Sequence, residues 1–258
     1  MDTHHTWQFW VRSYEVGADG EVRPIAYLNY LEEMAVQGSD VLGYDRAWYE
    51  NNHRLWVIRK LVLRHFNPAR AGDELALTTW ISETRRVQAY REYDLRRANG
   101  ERILRARHTW VYLNADTLAL ERLPSDFSKI TPPEGGLESI DLAVPGMMPI
   151  TEAETFTAER RVVWSELDEN AHVNNAVYVQ WADEMLRDAR RAFDSDSAGW
   201  RRAGREVEYF QSVVEGEPIR LTTRMIEKGA SHSAWLTEIR HGISNDLVAQ
   251  DRAIYVTA

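Results

Sequence analysis

The chain has no cysteine. Thiol nucleophiles, disulfides and cysteine-ligated metals are therefore excluded. No apolar run approaches the ~18 residues that a membrane-spanning helix needs. The opening residues, Met1-Asp2-Thr3-His4-His5-Thr6-Trp7, lack the basic stretch and apolar run of a secretion signal. The expectation is a cytoplasmic protein with no membrane span. Positive charge is also in deficit: the net charge is −9, which argues against a nucleic-acid partner. No glycine-rich phosphate loop occurs, and the histidines outside position 172 show no metal-ligand spacing with carboxylates. Neither a metal nor a cofactor is implied. Proline is sparse except in one stretch, Leu123 to Glu154, which holds Pro124, Pro132, Pro133, Pro145 and Pro149. Such sequence, without hydrophobic periodicity, reads as a linker.

What the chain does contain is an internal repeat. Tyr27-Leu28-Asn29-Tyr30-Leu31-Glu32-Glu33-Met34 matches Tyr178-Val179-Gln180-Trp181-Ala182-Asp183-Glu184-Met185 at an offset of 151 residues (178 − 27). Gly72-Asp73-Glu74-Leu75-Ala76-Leu77-Thr78-Thr79 matches Gly216-Glu217-Pro218-Ile219-Arg220-Leu221-Thr222-Thr223 at 144 (216 − 72). Two ordered blocks with nearly equal offsets indicate duplication. The difference of seven places a small length change in the loop after the helix.

The two units are expected over 1–122 and 155–258, with the Pro-rich linker at 123–154. Each reads as a strand, a helix and four more strands, an α+β pattern. In the first, Trp7 to Val11 opens a strand and Pro24 to Leu42 forms a helix stopped at Gly43. Strands follow near 55–66, 74–83, 87–98 and 102–113, with a type I′ hairpin at Asn99-Gly100. The second unit repeats this near 156–166, 176–193 (helix), 205–214, 218–227, 232–241 and 247–257. Trp56, Trp80, Trp110, Trp181 and Trp235 are expected mostly in the core.

The chemistry concentrates in Asp168-Glu169-Asn170-Ala171-His172-Val173-Asn174-Asn175. If this segment is extended, Asp168, Asn170 and His172 share one face. Asn174 and Asn175 are N-cap residues for the helix that follows, whose N-terminus suits a polarised carbonyl. A histidine can move a proton near neutral pH. Asn170 can orient water or a carbonyl, or simply make a turn. Asp168 can fix the imidazole, or act as the turn's acceptor. Asp183 and Glu184 are matched by Glu32 and Glu33 in a copy without the histidine, which favours a structural role.

These residues resemble the acyl-acyl carrier protein thioesterases, each a tandem of two hotdog domains, along essentially the whole chain. The likeness is densest in Asp168-x-Asn170-x-His172-Val173-Asn174-Asn175-x-x-Tyr178-x-x-Trp181. It is also clear in Trp56-Val57-Ile58-Arg59, Gly72-Asp73 and Thr79-Trp80. The resemblance implies two hotdog units, each a long helix wrapped by an antiparallel sheet, and hydrolysis of fatty acyl thioesters. It places catalysis by Asp168, Asn170 and His172 in the second unit, supported by Asn174, Asn175 and Ser212. It places acyl-chain binding largely in the first unit, where Leu28, Leu31 and Met34 are the candidate lining. The first copy lacks the chemistry: Asp19 and Glu21 stand where Asn170 and His172 would fall, and Arg23-Pro24 where Asn174-Asn175 would.

One departure concerns mechanism. Bacterial members of the family place a glutamate, and plant members a glutamate-cysteine pair, where this chain has Ser212 and Val213. The implied partner is an acyl carrier protein or a coenzyme A thioester, with the chain a monomer or homodimer. Other readings are an enoyl-thioester hydratase or dehydratase, disfavoured by Ala171 at the position of that class's proline, and a non-catalytic acyl-binding module. Arg187, Arg190, Arg191, Arg201, Arg202 and Arg205 form a basic stretch that reads either as a docking patch or as a solvated face.

Overall fold

A computed structural model of the chain describes residues 3–130, 140–193 and 199–257. It divides into two compact units, Met1–Ile140 and Asp141–Ala258. In the first, β1 (His5–Trp10) is followed by α1 (Pro24–Asp40), α2 (Arg46–Asn52), β2 (Arg54–His65), β3 (Glu74–Arg85), β4 (Gln88–Arg97) and β5 (Arg102–Asn114). The strands form an antiparallel sheet in the order β1-β3-β4-β5-β2. Pro24 sits at the first turn of α1, where its missing N–H costs nothing. Tyr27, Leu28, Leu31, Met34, Ala35 and Gly38 recur at three- and four-residue spacing and are buried. The helix packs on β3 and β1. Leu31 and Met34 are fully buried, which stabilises by roughly 1.5–3 kcal/mol each.

The second unit has β6 (Met148–Pro149), β7 (Thr155–Arg161), α3 (Asn175–Phe193), β8 (Trp200–Tyr209), β9 (Pro218–Lys228), β10 (His232–His241) and β11 (Leu247–Thr257). Its order is β8-β11-β10-β9-β7, the counterpart of the first sheet, with β6 an added two-residue pairing on β9. All pairs are antiparallel, and α3 packs on β7, β9, β10 and β11. Each unit is thus one long helix against an antiparallel sheet. The inferred length change after the helix corresponds to α2, a seven-residue helix capped by Asp45, whose carboxylate accepts the Trp48 N–H at 2.8 Å.

Several expectations need correction. Asn99-Gly100 is not a type I′ turn: Gly100 has φ +88°, while Asn99 is absent from the positive-φ residues. The register shifts between Leu95 and Arg96, as in a three-residue loop with a glycine bulge. The strand expected at 205–214 lies at 200–209, because the segment after Tyr209 leaves the sheet to run beside the loop described below. Of the expected linker, 131–139 lies outside the described residues, including Pro132 and Pro133. Its start is held by the first unit, where Phe127 is buried against Ile81 and Ala89. Trp80, Trp181 and Trp235 are buried as expected, whereas Trp56 and Trp110 are half-buried.

The two helix-facing surfaces differ in one respect. In the second unit Trp235 and Ala253 pair across β10 and β11 and pack with Ala189 and Leu186. In the first, the corresponding paired residues are Arg91 and His108, and Gly38 stands in place of Ala189. Arg91 is 7% exposed, and its Nη1 lies 3.4 Å from Thr79 Oγ1. A Cβ on Gly38 would sit 2.5 Å from that nitrogen, so the guanidinium occupies the space a side chain would need. Burial pushes His108 down to about 3, so its imidazole is neutral; Nδ1 lies 3.0 Å from the Tyr93 hydroxyl.

Candidate active site

The loop carrying Asn170 and His172 is a tight hairpin, closed by a bridge between Leu167 and Val173. The Asp168 N–H donates to the His172 carbonyl at 2.8 Å, and the Ala171 N–H to the Asp168 carbonyl at 3.1 Å. Ala171 has φ +58°, a left-handed conformation that costs a non-glycine residue roughly 1 kcal/mol. Asp168 Oδ1 accepts the N–H of Asn170 at 2.8 Å and that of His172 at 3.4 Å. This overturns the expected extended segment with Asp168, Asn170 and His172 on one face. An aspartate that bonds its own following amides reverses the chain, so the carboxylate is used by the turn rather than by the imidazole. Asn170 and His172 are exposed at the tip, and among the described residues neither side chain has a hydrogen-bond partner.

Three contacts pin this loop. The Val173 N–H donates to the Val213 carbonyl at 3.0 Å, setting the residue after His172 against the residue after Ser212. Ser212 is exposed. The Asn174 N–H donates to the Glu166 carbonyl at 3.0 Å. Asn174 Oδ1 accepts the Ala176 N–H at 2.8 Å and caps α3. Asn175 is the first residue of the helix, and its carbonyl accepts the Tyr209 hydroxyl at 3.2 Å. Asn174 therefore has the capping role expected of it, and it already satisfies an amide that could otherwise have met an oxyanion.

Sequence reasoning missed Glu166, and it carried Tyr178 only as part of the repeat and of the family signature. Glu166 ties the loop's base together: it accepts the Val163 N–H at 3.0 Å and the Trp181 indole N–H at 2.9 Å, and pairs with Arg160, which lies over the Trp181 ring. The repeat held the signal, because Glu15 does the same in the first unit, accepting the Arg12 N–H at 2.7 Å and the Tyr30 hydroxyl at 2.6 Å. Tyr178 is 3% exposed, with its hydroxyl beside the Val213 backbone amide.

The first unit has the same loop, with Asp19 and Glu21 where Asn170 and His172 stand. Val16 and Val22 bridge, the Gly17 N–H donates to the Glu21 carbonyl at 2.8 Å, and Gly20 takes φ +75° where Ala171 stands in the second copy. Leu28, Leu31 and Met34 are buried beneath it on α1.

Among the other acidic and basic candidates, Asp183 pairs with buried Arg205, which also lies 3.2 Å from Asp251. Arg205 thus leaves the expected basic surface patch, since its partners are in the core. Glu184 accepts a hydrogen bond from Gln180 at 3.0 Å. Both acids are engaged in structure, as the symmetry of the copies implied.

Two family models match the chain. That described as the acyl-ACP thioesterase N-terminal domain covers residues 2–131, and that described as the C-terminal domain covers 151–246. An acyl-[acyl-carrier-protein] hydrolase of Cuphea viscosissima is 27% identical over 186 residues, spanning 67% of this chain and 45% of the relative. A palmitoyl-acyl carrier protein thioesterase of Arabidopsis thaliana is 27% identical over 186 residues, with the same coverage of 67% and 45%. The chain thus spans somewhat less than half the length of these relatives. Among solved structures, an acyl-ACP thioesterase from Bacteroides thetaiotaomicron superposes with a TM-score of 0.79 at 17% identity, covering 98% of both chains. A 12:0-ACP thioesterase from Umbellularia californica gives 0.78 at 18%, covering 99% of this chain and 95% of its own. These identities show a shared fold, the tandem hotdog.

Proposed function

The chain belongs to the acyl-ACP thioesterase family, and on that premise we propose that it hydrolyses fatty acyl thioesters of acyl carrier protein, releasing free fatty acid. The observation that carries this reading is the contrast between the two copies. Both fold the same hairpin at the foot of the long helix, and only the second places Asn170 and His172 at its tip. A structural turn can use an asparagine, but it has no need of the imidazole.

In this reading the His172 imidazole takes a proton from water as the water attacks the thioester carbonyl. The Asn170 amide donates to the carbonyl oxygen as negative charge develops there. The carbon–sulfur bond breaks, the thiolate leaves and takes up a proton, and the acid is released. Asp168 acts through the loop: by binding the amides of residues 170 and 172 it fixes where both side chains start. Ser212 can hydrogen-bond the water but cannot accept its proton near neutral pH. The first unit, with Leu28, Leu31 and Met34, receives the acyl chain.

Purified protein is assayed for free thiol and free acid with a panel of acyl lengths, each on acyl carrier protein and on coenzyme A. Release from both carriers, faster from the carrier protein, is the expected result. His172→Ala should lower turnover by about a hundredfold or more. Near-normal rates in a folded His172→Ala protein remove the assigned base, and an enoyl absorbance change without thiol release identifies a hydratase instead.

A further inference from the structure

β1 lies at one end of its sheet and, among the described residues, pairs with β3 alone. Its other edge is open, and the hydrogen bonds show which residues present it. The Val11 N–H donates to the Asp73 carbonyl at 3.0 Å, and the Val11 carbonyl accepts the Gly72 N–H at 3.0 Å. On the far side of β3 the Ala98 N–H donates to the Glu74 carbonyl at 3.0 Å, so Glu74, Ala76 and Thr78 face β4 while Leu75, Leu77 and Thr79 face β1. Backbone groups alternate in direction along a strand. His5, Trp7 and Phe9 therefore bond to β3, and the N–H and C=O groups of Thr6, Gln8 and Trp10 point out of the sheet's edge. All three residues are exposed, Trp10 by 61%.

An open strand edge is a template for pairing, and proteins guard it with charged side chains. The second copy does so. β7 is the counterpart of β1 at the offset of 151, and Val162 repeats the bonds of Val11, donating to the Glu217 carbonyl at 3.0 Å and accepting the Gly216 N–H at 3.0 Å. The residues presenting that edge are Thr157, Glu159 and Arg161, all exposed. In β1, Gln8 stands for the glutamate and Trp10 for the arginine. No aspartate, glutamate, lysine or arginine occurs from Thr3 to Val11.

The occupant that fits this edge is a second copy of the same strand. Antiparallel pairing about a two-fold axis at Gln8 sets Gln8 against its own counterpart and Thr6 against Trp10, so all three outward residues exchange backbone bonds. Opposed residues of an antiparallel pair share a face, and here the faces agree. Trp7 of one copy meets Phe9 of the other, extending the Trp7–Phe9 stack whose rings lie 4.1 Å apart. The same geometry about Glu159 in β7 would oppose two glutamates, which destabilises a pair. The two edges thus differ at the residue that stands on the axis. A net charge of −9 repels a second copy overall, and β1 is an edge on which no such charge is set against another.

We propose that two copies of the chain associate edge to edge through β1, antiparallel and centred on Gln8. The proposal is independent of the thioesterase reading above.

Sedimentation velocity over a range of concentrations reads the association, and the wild type should pass from monomer to dimer as concentration rises. Gln8→Glu, which copies the second unit, and Gln8→Lys should each weaken the dimer by about a hundredfold, since like charges then meet on the axis. An equimolar mixture of the two variants should form dimers again, because a glutamate then faces a lysine. Melting curves matching the wild type confirm that the exposed substitutions leave the fold intact. Amide hydrogen exchange at Thr6, Gln8 and Trp10 should slow with concentration, and that at Thr157, Glu159 and Arg161 should not. A wild type that stays monomeric at every concentration overturns the proposal, even if another extended chain protects its β1 amides. So does a dimer that Gln8→Glu leaves intact, or a mixture of the two variants that stays monomeric.

Discussion

Replacing Gly38 with alanine tests whether the buried guanidinium of Arg91 dictates the composition of α1. On helix propensity alone the change is favourable, since alanine exceeds glycine by about 1 kcal/mol in a helix interior. The structure opposes it. The new Cβ would lie 2.5 Å from Arg91 Nη1 and 3.1 Å from Thr79 Cγ2. A flexible side chain on the surface would swing away, but Arg91 is 7% exposed and has little room, and moving it gives up the contact with Thr79 at 3.4 Å. Overpacking of this kind costs about 1–3 kcal/mol. The net expectation is a loss on the order of 1 kcal/mol, a fall in melting temperature of roughly 2–4 °C for a chain of this size. Thermal and urea denaturation measure it. In an Arg91→Met background the nearer obstruction is gone and only Thr79 Cγ2 at 3.1 Å must give, so the same Gly38→Ala change should become neutral or stabilising, and the cycle gives the coupling directly. A Gly38→Ala protein at least as stable as wild type, with Arg91 intact, would refute the reasoning.

Three further outcomes follow from the same structure. Burial raises the Asp251 carboxyl from 3.8 to about 7 despite Arg205. The folded protein thus binds a proton that the unfolded chain releases, and this contribution is present at acid pH and lost as pH rises through about 7. Melting temperature followed from about pH 5 to 8 should decline less in Asp251→Asn, and parallel curves would show that Asp251 does not titrate there. Leu31→Phe should shift acyl preference toward shorter chains while short substrates still turn over, whereas an unchanged length profile in the folded variant moves the acyl site away from α1. Ser212→Ala should cost about tenfold or less, as for one hydrogen bond worth about 1 kcal/mol, and a loss matching that of His172→Ala would make the serine a nucleophile or relay.

Much of the fold was legible because its signals are local and repeated. Period-two burial in β3, three- and four-residue spacing in α1, and Pro24 at its start are read directly from the chain. The duplication supplied the rest, since a weak element in one copy is confirmed by its partner. The seven-residue difference in offset marked only a longer loop after the first helix; the structure fills it with α2, and nothing in Arg46-Ala-Trp-Tyr-Glu-Asn-Asn52 announces a helix beyond the Asp45 cap. What was not legible depends on contacts far apart in sequence. The Glu166 hub joins Val163, Trp181 and Arg160, and Arg205 leaves the surface only because Asp183 and Asp251 face it across three elements. The site was misread in one physical respect. Alternation of Asp168, Asn170 and His172 suggested an extended strand, and the aspartate's preference for its own following amides won instead.

That outcome changes what the aspartate is for. In an extended segment it would orient the imidazole directly, as a triad carboxylate does. In the hairpin it organises the backbone on which both Asn170 and His172 stand, and Ala171 completes the reversal in a conformation that its counterpart Gly20 adopts freely. Glycine there would relax the turn, but it would also let the tip move, which matters less in a copy that carries Asp19 and Glu21 than in one whose tip carries Asn170 and His172. Duplication lets the two demands separate. The first unit keeps a relaxed loop and a helix face opened by Gly38 around a buried guanidinium. The second keeps an apolar helix face of Trp235, Ala253 and Ala189, and holds Ala171 in the left-handed region beside an exposed histidine. Among the described residues of the second unit, the non-glycine residues held at positive φ are Ala171 and Asn245, and the first of them adjoins His172.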